Sequence, residues 1–128
     1  MIFVDTNVWM YAVGRPHPLR DRAREILRTA VTERSPLATS AEVIQELFHA
    51  YLPVGRITTL DAALKLSGDL AEVWSLEADD LVTARDLIAE EPGLSARDLV
   101  HLASCLRRRA DEIVTFDRAL AAAASRML

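Results

Sequence analysis

Acidic side chains stand directly after two apolar runs that predict buried strands. The run Ile2–Val4 precedes Asp5, and the run Ile113–Phe116 precedes Asp117. In an open parallel sheet, ligands bind outside the carboxyl ends of the strands. If the two strands are neighbours, the two carboxylates face each other across one edge of the sheet. Like charges that close are unfavourable unless a proton or a cation lies between them.

Two predicted helices contribute further carboxylates. Glu46 lies on the flank of the apolar stripe of the predicted helix Ala41–Leu52. Asp98 lies in the first turn of the predicted helix Ala96–Arg109. Glu42 is one turn before Glu46 on the same flank, and we interpret it as part of a solvated helix face.

Each acid also has an interpretation without chemistry. Asp98 can serve as an N-terminal dipole or capping residue, and Asp117 can be the N-cap of the last helix. Asp5 is the hardest to explain in this way, because Asp is depleted in strands. Strand-end aspartates do, however, also form ordinary turns.

Taken together, the four carboxylates indicate a metal site. Carboxylate oxygens are hard ligands that suit Mg²⁺ or Mn²⁺ better than Zn²⁺. Such ions polarise a phosphodiester and activate a water molecule for its hydrolysis. We therefore interpret Asp5 as a metal ligand held by a rigid strand, with Glu46, Asp98 and Asp117 as its partners.

The elements that must position these acids alternate along the chain. Strands are predicted at Ile2–Asp5, Leu37–Thr39, Glu72–Leu76 and Ile113–Phe116. Helices are predicted at Pro18–Thr32, Ala41–Leu52, from Thr58 or Thr59 to about Ala71, Ala78–Glu90, Ala96–Arg109 and Arg118–Arg126. Hairpin signals are lacking, so the pattern predicts an α/β fold with a short parallel sheet of about four strands and helices on both faces.

Composition limits the class of protein. The chain has 128 residues and a net charge of −4, which gives no global sign of nucleic-acid binding. The single cysteine cannot form an internal disulfide, and no apolar run approaches the ~20 residues of a membrane span. Strand-like sequence follows Met1 directly, without a leader pattern. We therefore expect a cytoplasmic protein that does not enter a membrane.

Four segments carry a resemblance to a known family. The segments "FVDTNVWMYA", "SAEVIQELFHA", "LSARDLVHLASC" and "IVTFDRAL" resemble the four motifs of PIN-domain ribonucleases, in the family's order. Within that family the chain is similar to VapC-type toxins of bacterial toxin–antitoxin modules. The resemblance covers nearly the whole chain and implies a single PIN-like domain over residues 1–128.

The resemblance also implies functional residues. It implies acidic catalytic and metal-binding positions at Asp5, Glu46, Asp98 and Asp117, with polar supports at Thr6, Asn7 and Thr115. It further implies Mg²⁺-dependent cleavage of RNA, with Mn²⁺ as a possible substitute. One departure concerns the C-terminal segment, because "RALAAAASRML" predicts a helix where such chains usually continue into a final edge strand.

Partners follow from the same resemblance. It implies an antitoxin protein, for which we expect a docking surface of apolar and aromatic residues beside the acids: Trp9, Met10, Tyr11, Phe48, Tyr51 and Leu52.

A turn is expected at Asp5-Thr6-Asn7. His49 and His101 could approach the site and support the acids, but we interpret both as partly buried histidines on helix flanks. We also expect a homodimer, since small α/β domains commonly pair about a two-fold axis.

Three other functions remain open at this point. The chain could be a housekeeping RNA-processing nuclease of the PIN type, or a degenerate PIN domain that only binds. A metal-dependent phosphoryl-transfer domain with an aspartyl nucleophile would require a lysine at a strand end. The only lysine, Lys65, follows a helical run instead, and position 7 is Asn rather than a second Asp.

Overall fold

Four short parallel strands form one sheet. They are β1 (Ile2–Val4), β2 (Leu37–Ser40), β3 (Ala71–Trp74) and β4 (Glu112–Val114), and their spatial order is β3-β2-β1-β4. The computed structural model describes all residues from Met1 to Leu128. The predicted α/β class with about four parallel strands is confirmed. Strands β1 and β4 are direct neighbours, with Phe3 opposite Ile113, so Asp5 and Asp117 follow adjacent strands.

Seven helices follow the strands and connect them. They are α1 (Thr6–Val13), α2 (Pro18–Thr32), α3 (Ala41–Tyr51), α4 (Ile57–Leu70), α5 (Ala78–Leu87), α6 (Ala96–Arg107) and α7 (Arg118–Met127). Phe3 and Val4 are adjacent in β1 and point to opposite faces of the sheet, yet both are fully buried. Both faces of the sheet are therefore covered. None of the helices has the length and apolarity that crossing a membrane requires.

Helix α1 differs from the sequence-based prediction of a turn after β1. The helix begins at once, with Asp5 as its N-cap and the Asp5 side chain accepting a hydrogen bond from the Thr6 backbone N–H. Val8 and Trp9 are weak helix formers, so the segment carries little local helical signal. Both side chains are fully buried, and this packing stabilises the helix where propensity does not.

The predicted partner surface is wrong for two of its residues. Trp9 and Tyr51 belong to the hydrophobic core, and the Trp9 indole N–H donates to the Thr39 hydroxyl at 3.3 Å. Phe48 and Leu52, on α3 and just after it, are 42% and 56% exposed. Only part of the expected apolar surface is therefore available to a partner.

The C-terminal segment forms helix α7, as its sequence predicts. Asp117 caps the helix by accepting a hydrogen bond from the Leu120 N–H at 3.0 Å. Leu120 is fully buried, and Ala123 and Ala124 are buried on the same face. No strand pairs with the outer edge of β4, so β4 is an edge strand of the sheet.

A buried carboxylate joins α5 to the end of α6. Asp80 is fully buried, and one of its oxygens accepts from Arg107 Nη1 at 2.6 Å and from Arg108 Nη1 at 2.9 Å. Its other oxygen accepts from the Glu77 N–H at 2.9 Å, which completes a capping box at the start of α5. The Arg108 guanidinium also lies over the Trp74 ring, 5.2 Å from its centroid.

Candidate active site

Asp5 is held at the junction of β1 and α1. Its side chain is buried, and Oδ1 accepts from the Thr6 N–H at 2.7 Å. Its other oxygen, Oδ2, accepts from the Thr115 hydroxyl at 2.7 Å. The Asp5 N–H donates to the Val114 carbonyl at 3.0 Å, which continues the β1–β4 pairing. Backbone and side chain are therefore both fixed.

Thr6, Asn7 and Thr115 connect the acids to one another. The Thr6 hydroxyl donates to Glu46 Oε2. The Asn7 side chain donates to the Thr115 hydroxyl oxygen at 3.2 Å and accepts from the Phe116 N–H at 3.2 Å. The Thr115 oxygen also accepts from the Asp117 N–H at 3.0 Å. These contacts set the relative positions of the ends of β1 and β4.

Glu46 reaches the same place from α3. That helix begins at Ser40, whose hydroxyl accepts from the Val43 N–H at 3.2 Å. Glu46 Oε1 lies 2.9 Å from His101 Nε2. Burial raises the pKa of Glu46, but hydrogen bonds from His101 and Thr6 and the positive charge of His101 outweigh it and lower the pKa below its usual value.

His101 is a member of the site that sequence reasoning did not assign. The expected partly buried histidine on a helix flank is in fact almost fully buried, and Nε2 lies 3.6 Å from Asp5 Oδ1. Burial lowers its pKa, but the hydrogen bond to Glu46 and the charges of Asp5, Glu46 and Asp98 raise it overall. The available signal was its position three residues after Asp98, on the same helix face.

Asp98 and Asp117 complete the acidic group. Asp98 sits in the first turn of α6, where Ser95 caps the helix by accepting from the Asp98 N–H at 3.2 Å. Burial raises the pKa of Asp98, and the negative charges of Asp117 and Asp5 raise it further. Neither Asp98 nor Asp117 forms an ion pair with a cationic side chain. Asp117 is both an N-cap and a member of the group, so its two sequence-based interpretations are compatible.

All four acids line one open cavity of about 550 Å³. His49, Arg97 and Ser95 also contribute to its wall, whereas Glu42 does not. Lys65 lies elsewhere, on α4, paired with Asp69 at 2.9 Å. A phosphoryl-transfer site with a lysine beside the acids is therefore not formed.

The donor set fits a small divalent cation. Ligand atoms of Asp5, Glu46 and His101 lie within 4.8 Å of one another, and the hydrogen bond between His101 and Glu46 leaves Asp5 to act with Asp98 and Asp117. Asp98 and Asp117 open into the same cavity without a cationic partner, and burial together with repulsion from Asp117 and Asp5 raises the pKa of Asp98. A cation would relieve that repulsion. The donors are mainly carboxylate oxygens, which suit Mg²⁺ or Mn²⁺.

Comparisons with known proteins agree with this arrangement. A sequence model of the PIN domain matches residues 2–125. Ribonuclease VapC23 of Mycobacterium tuberculosis is 58% identical over 123 residues, which cover 96% of this chain and 98% of that protein. The chain belongs to the PIN-domain family and, within it, to the VapC-type toxins.

Two crystal structures share the fold. The sarcin-ricin loop cleaving toxin VapC20 of Mycobacterium tuberculosis has a TM-score of 0.78 and 20% identity, over 96% of this chain and 95% of that chain. VapBC2 from Rickettsia felis, bound to a DNA fragment from its promoter, has a TM-score of 0.72 and 20% identity, over 91% of this chain and 88% of that chain.

Proposed function

We propose that this protein is a Mg²⁺-dependent endoribonuclease that hydrolyses RNA phosphodiesters and acts as the toxin of a toxin–antitoxin pair. The observation that carries the proposal is the convergence of Asp5, Glu46, Asp98 and Asp117, from four separate parts of the chain, on one open cavity. Mn²⁺ is the second candidate cation. The high identity to a VapC ribonuclease supports RNA as the substrate.

Asp5, Asp98 and Asp117 would hold the cation, with Glu46 beside them. When bound, the ion supplies Lewis-acid stabilisation of the phosphate and acidifies the attacking water. Thr6 and His101 keep both Glu46 oxygens oriented toward the site. Thr115 and Asn7 hold Asp5 and the start of α7 in register, so that the ligands are positioned before the substrate arrives.

We place the proposed antitoxin in a groove between α1, α2 and α4 instead of on the surface expected beside the acids, because Trp9 and Tyr51 of that surface are buried. This groove, of about 670 Å³, has an apolar floor and is flanked by Arg24, Arg28 and the Lys65–Asp69 ion pair. An amphipathic antitoxin helix with acidic flanks would complement it. VapBC2 from Rickettsia felis, a toxin–antitoxin complex with the same fold, supports a protein partner of this kind. A toxin restrained in this way would act in the cytoplasm.

A homodimer is also proposed. Four apolar side chains at the junction of α3 and α4 are 42–66% exposed: Phe48, Leu52, Val54 and Ile57. A two-fold axis near this patch would bury the same residues on both subunits. Sedimentation equilibrium of wild type and Val54→Asp tests this, and a wild-type monomer at all concentrations would refute it.

A nuclease assay tests the catalytic proposal. Purified protein is incubated with total RNA in Mg²⁺, in Mn²⁺ and in EDTA, and cleavage is expected only with the metals. Glu46→Gln is expected to lose most activity, and Glu42→Gln is the matched control on the same helix. Metal-independent cleavage, or equal activity of the two variants, would contradict the assignment.

Expression in a bacterial host tests whether the protein acts as a toxin. The chain alone is expected to arrest growth, and co-expression of the small protein encoded upstream is expected to restore it. If the folded, metal-loaded chain cleaves RNA in vitro but is harmless in the cell, a housekeeping RNA-processing nuclease becomes the better assignment.

A further inference from the structure

A second pocket of opposite character adjoins the acidic cavity. This pocket, of about 480 Å³, shares Asn7 and Met10 with the acidic cavity. Its other walls come from the loop between α1 and α2 and from the region around the end of α3. The two pockets are therefore adjacent, and an elongated ligand whose reacting group lies at the acids has a path across Asn7 and Met10 to the second pocket.

Two arginines without acidic partners line the second pocket. Arg15 is exposed and forms no salt bridge. Arg56 is half-buried, contacts the Thr59 hydroxyl at 3.4 Å and lies over the Tyr51 ring, 5.8 Å from its centroid. Their charges remain uncompensated in a protein whose net charge is −4. An anionic group would therefore be attracted to this end of the path.

Aromatic rings line the second pocket. The Tyr11 ring lies 4.7 Å from the His17 ring, centroid to centroid, at an interplanar angle of 35°. The Tyr11 ring also meets Phe116 edge-on at 5.5 Å. Phe116 directly precedes Asp117. Partly exposed rings beside arginines are the features on which unstacked bases are held in single-stranded RNA.

The loop that carries Arg15 and His17 is fixed in place. A Cβ at Gly14 would lie 2.9 Å from the Met10 carbonyl oxygen, so this close approach requires glycine. Pro16 and Pro18 restrict the backbone on either side of His17. His17 Nδ1 also accepts from the Leu19 N–H at 3.0 Å, as the N-cap of α2. The pocket is therefore preorganised.

We propose that this second pocket binds the nucleotide next to the scissile phosphate of a single-stranded RNA. Its base stacks on the exposed side of the Tyr11–His17 ring pair, and its phosphate lies between Arg15 and Arg56. The inference rests on the proposed ribonuclease function and adds a substrate subsite to it. Single-stranded RNA fits because a base within a duplex does not present its face to a side chain.

Binding without cleavage tests the subsite. The probe is a fluorescein-labelled eight-nucleotide single-stranded RNA of mixed sequence, in EDTA, read by anisotropy. Arg15→Gln combined with Arg56→Gln is expected to weaken binding about tenfold and to lower the salt dependence by about 1 unit of slope or more. Arg85→Gln, an exposed arginine on α5, is the matched control and should bind as wild type.

The stacking component needs a separate comparison. Tyr11→Leu is expected to weaken binding of the RNA about fivefold or more, while Tyr11→Phe keeps the ring and the affinity. For an abasic oligonucleotide of the same length, all three Tyr11 forms should bind equally. Melting temperatures confirm that the variants are folded.

The outcomes separate the subsite from the nuclease proposal. If the wild-type protein cleaves RNA in Mg²⁺ and the arginine and Tyr11→Leu variants bind RNA with unchanged affinity, the subsite is refuted and the nuclease proposal is not. Variants that lose affinity for the antitoxin but not for RNA would also overturn it. Loss of RNA affinity as predicted, in a protein that cleaves no RNA, would support RNA binding in this pocket but refute both the nuclease and a place beside a scissile phosphate.

Discussion

His101 Nε2 lies 2.9 Å from Glu46 Oε1, although the two residues are 55 positions apart in the chain. The same nitrogen is 3.6 Å from Asp5 Oδ1. The imidazole therefore approaches both Glu46 and Asp5 through Nε2. Its other nitrogen, Nδ1, has no hydrogen-bond partner. Its ring packs on Phe3 of the central strand, with 5.6 Å between the ring centroids.

Removing this imidazole should destabilise the protein. His101→Leu leaves Glu46 without its donor in a partly buried place, and we expect the free energy of unfolding to fall by about 1–3 kcal/mol. His101→Gln retains an N–H at a similar distance, so its free energy of unfolding should fall less. Urea denaturation of the three proteins in EDTA measures this. Equal stability of wild type and His101→Leu would show that the contact contributes nothing.

Asp5→Asn should separate activity from stability. The substitution keeps size and polarity but removes a charge that raises the pKa of Asp98. We expect RNA cleavage to be abolished, the metal-free protein to be as stable as wild type or more so, and the pKa of Asp98 to fall. Cleavage assays, thermal unfolding in EDTA and NMR titration of Asp98 are the measurements. An active, well-folded Asp5→Asn protein would refute the role of Asp5.

Divalent metal should stabilise the fold. Mg²⁺ or Mn²⁺ would relieve repulsion among Asp5, Asp98 and Asp117, and it would bind only the folded state. At a free concentration one hundred times the dissociation constant, the stabilisation is about 2.7 kcal/mol. Calorimetry with Asp5→Asn as the control measures the change in melting temperature. A wild-type protein that shows neither binding heat nor a shift at millimolar metal would refute the metal site.

The Asp80 network should make stability depend on acid pH. Burial raises the pKa of Asp80, but hydrogen bonds from Glu77, Arg108 and Arg107 outweigh it, so the pKa lies below its usual value. The stabilisation is therefore present above the unfolded-state pKa of about 3.9 and is lost as pH falls through the folded-state pKa. We expect Asp80→Asn to be less stable by about 1–3 kcal/mol at pH 7.

Denaturation of both proteins across the pH range provides the test. Between pH 7 and about pH 5 the difference in stability should stay constant, and below about pH 4 it should shrink as Asp80 in wild type is protonated. A difference that is unchanged down to pH 2 would mean that the charge of Asp80 is not what stabilises the α5–α6 contact.

A substitution in the apolar groove between α1, α2 and α4 should weaken only the binding of the proposed antitoxin. Val31 lines the groove and is 54% exposed, so Val31→Asp should leave the fold and the nuclease activity intact. We expect it to weaken binding of the upstream-encoded protein by about tenfold or more. Val82→Asp on α5, at a position 61% exposed, is the control. Calorimetric titration that ranks the two variants equally would place the antitoxin elsewhere.

The sequence predicted the acids better than it predicted their surroundings. Asp5 and Asp117 could be placed because apolar runs mark strand ends, and neighbouring parallel strands bring such ends together. Helix α1 was not predicted, because Val8 and Trp9 have low intrinsic helix propensity and the helix depends on their burial.

His101 shows a second limit. Its spacing from Asp98 was visible, but its burial depends on the packing of α6 against β1 and α3, which no local pattern encodes. The second pocket is similar, since Arg15 and Arg56 lie 41 positions apart in the sequence. Only the tertiary fold reveals that they face one space.

The hydrogen bond from Thr115 to Asp5 also has a consequence for the timing of synthesis. It joins residues 110 positions apart, and the strand that precedes Thr115 is the last of the four to be translated. Asp5 is synthesised early, but β4, Thr115 and Asp117 are added only when the chain is almost finished. A contact between residues so distant in sequence requires closure of a long loop. A growing chain that still lacks β4 therefore carries no assembled acid cluster.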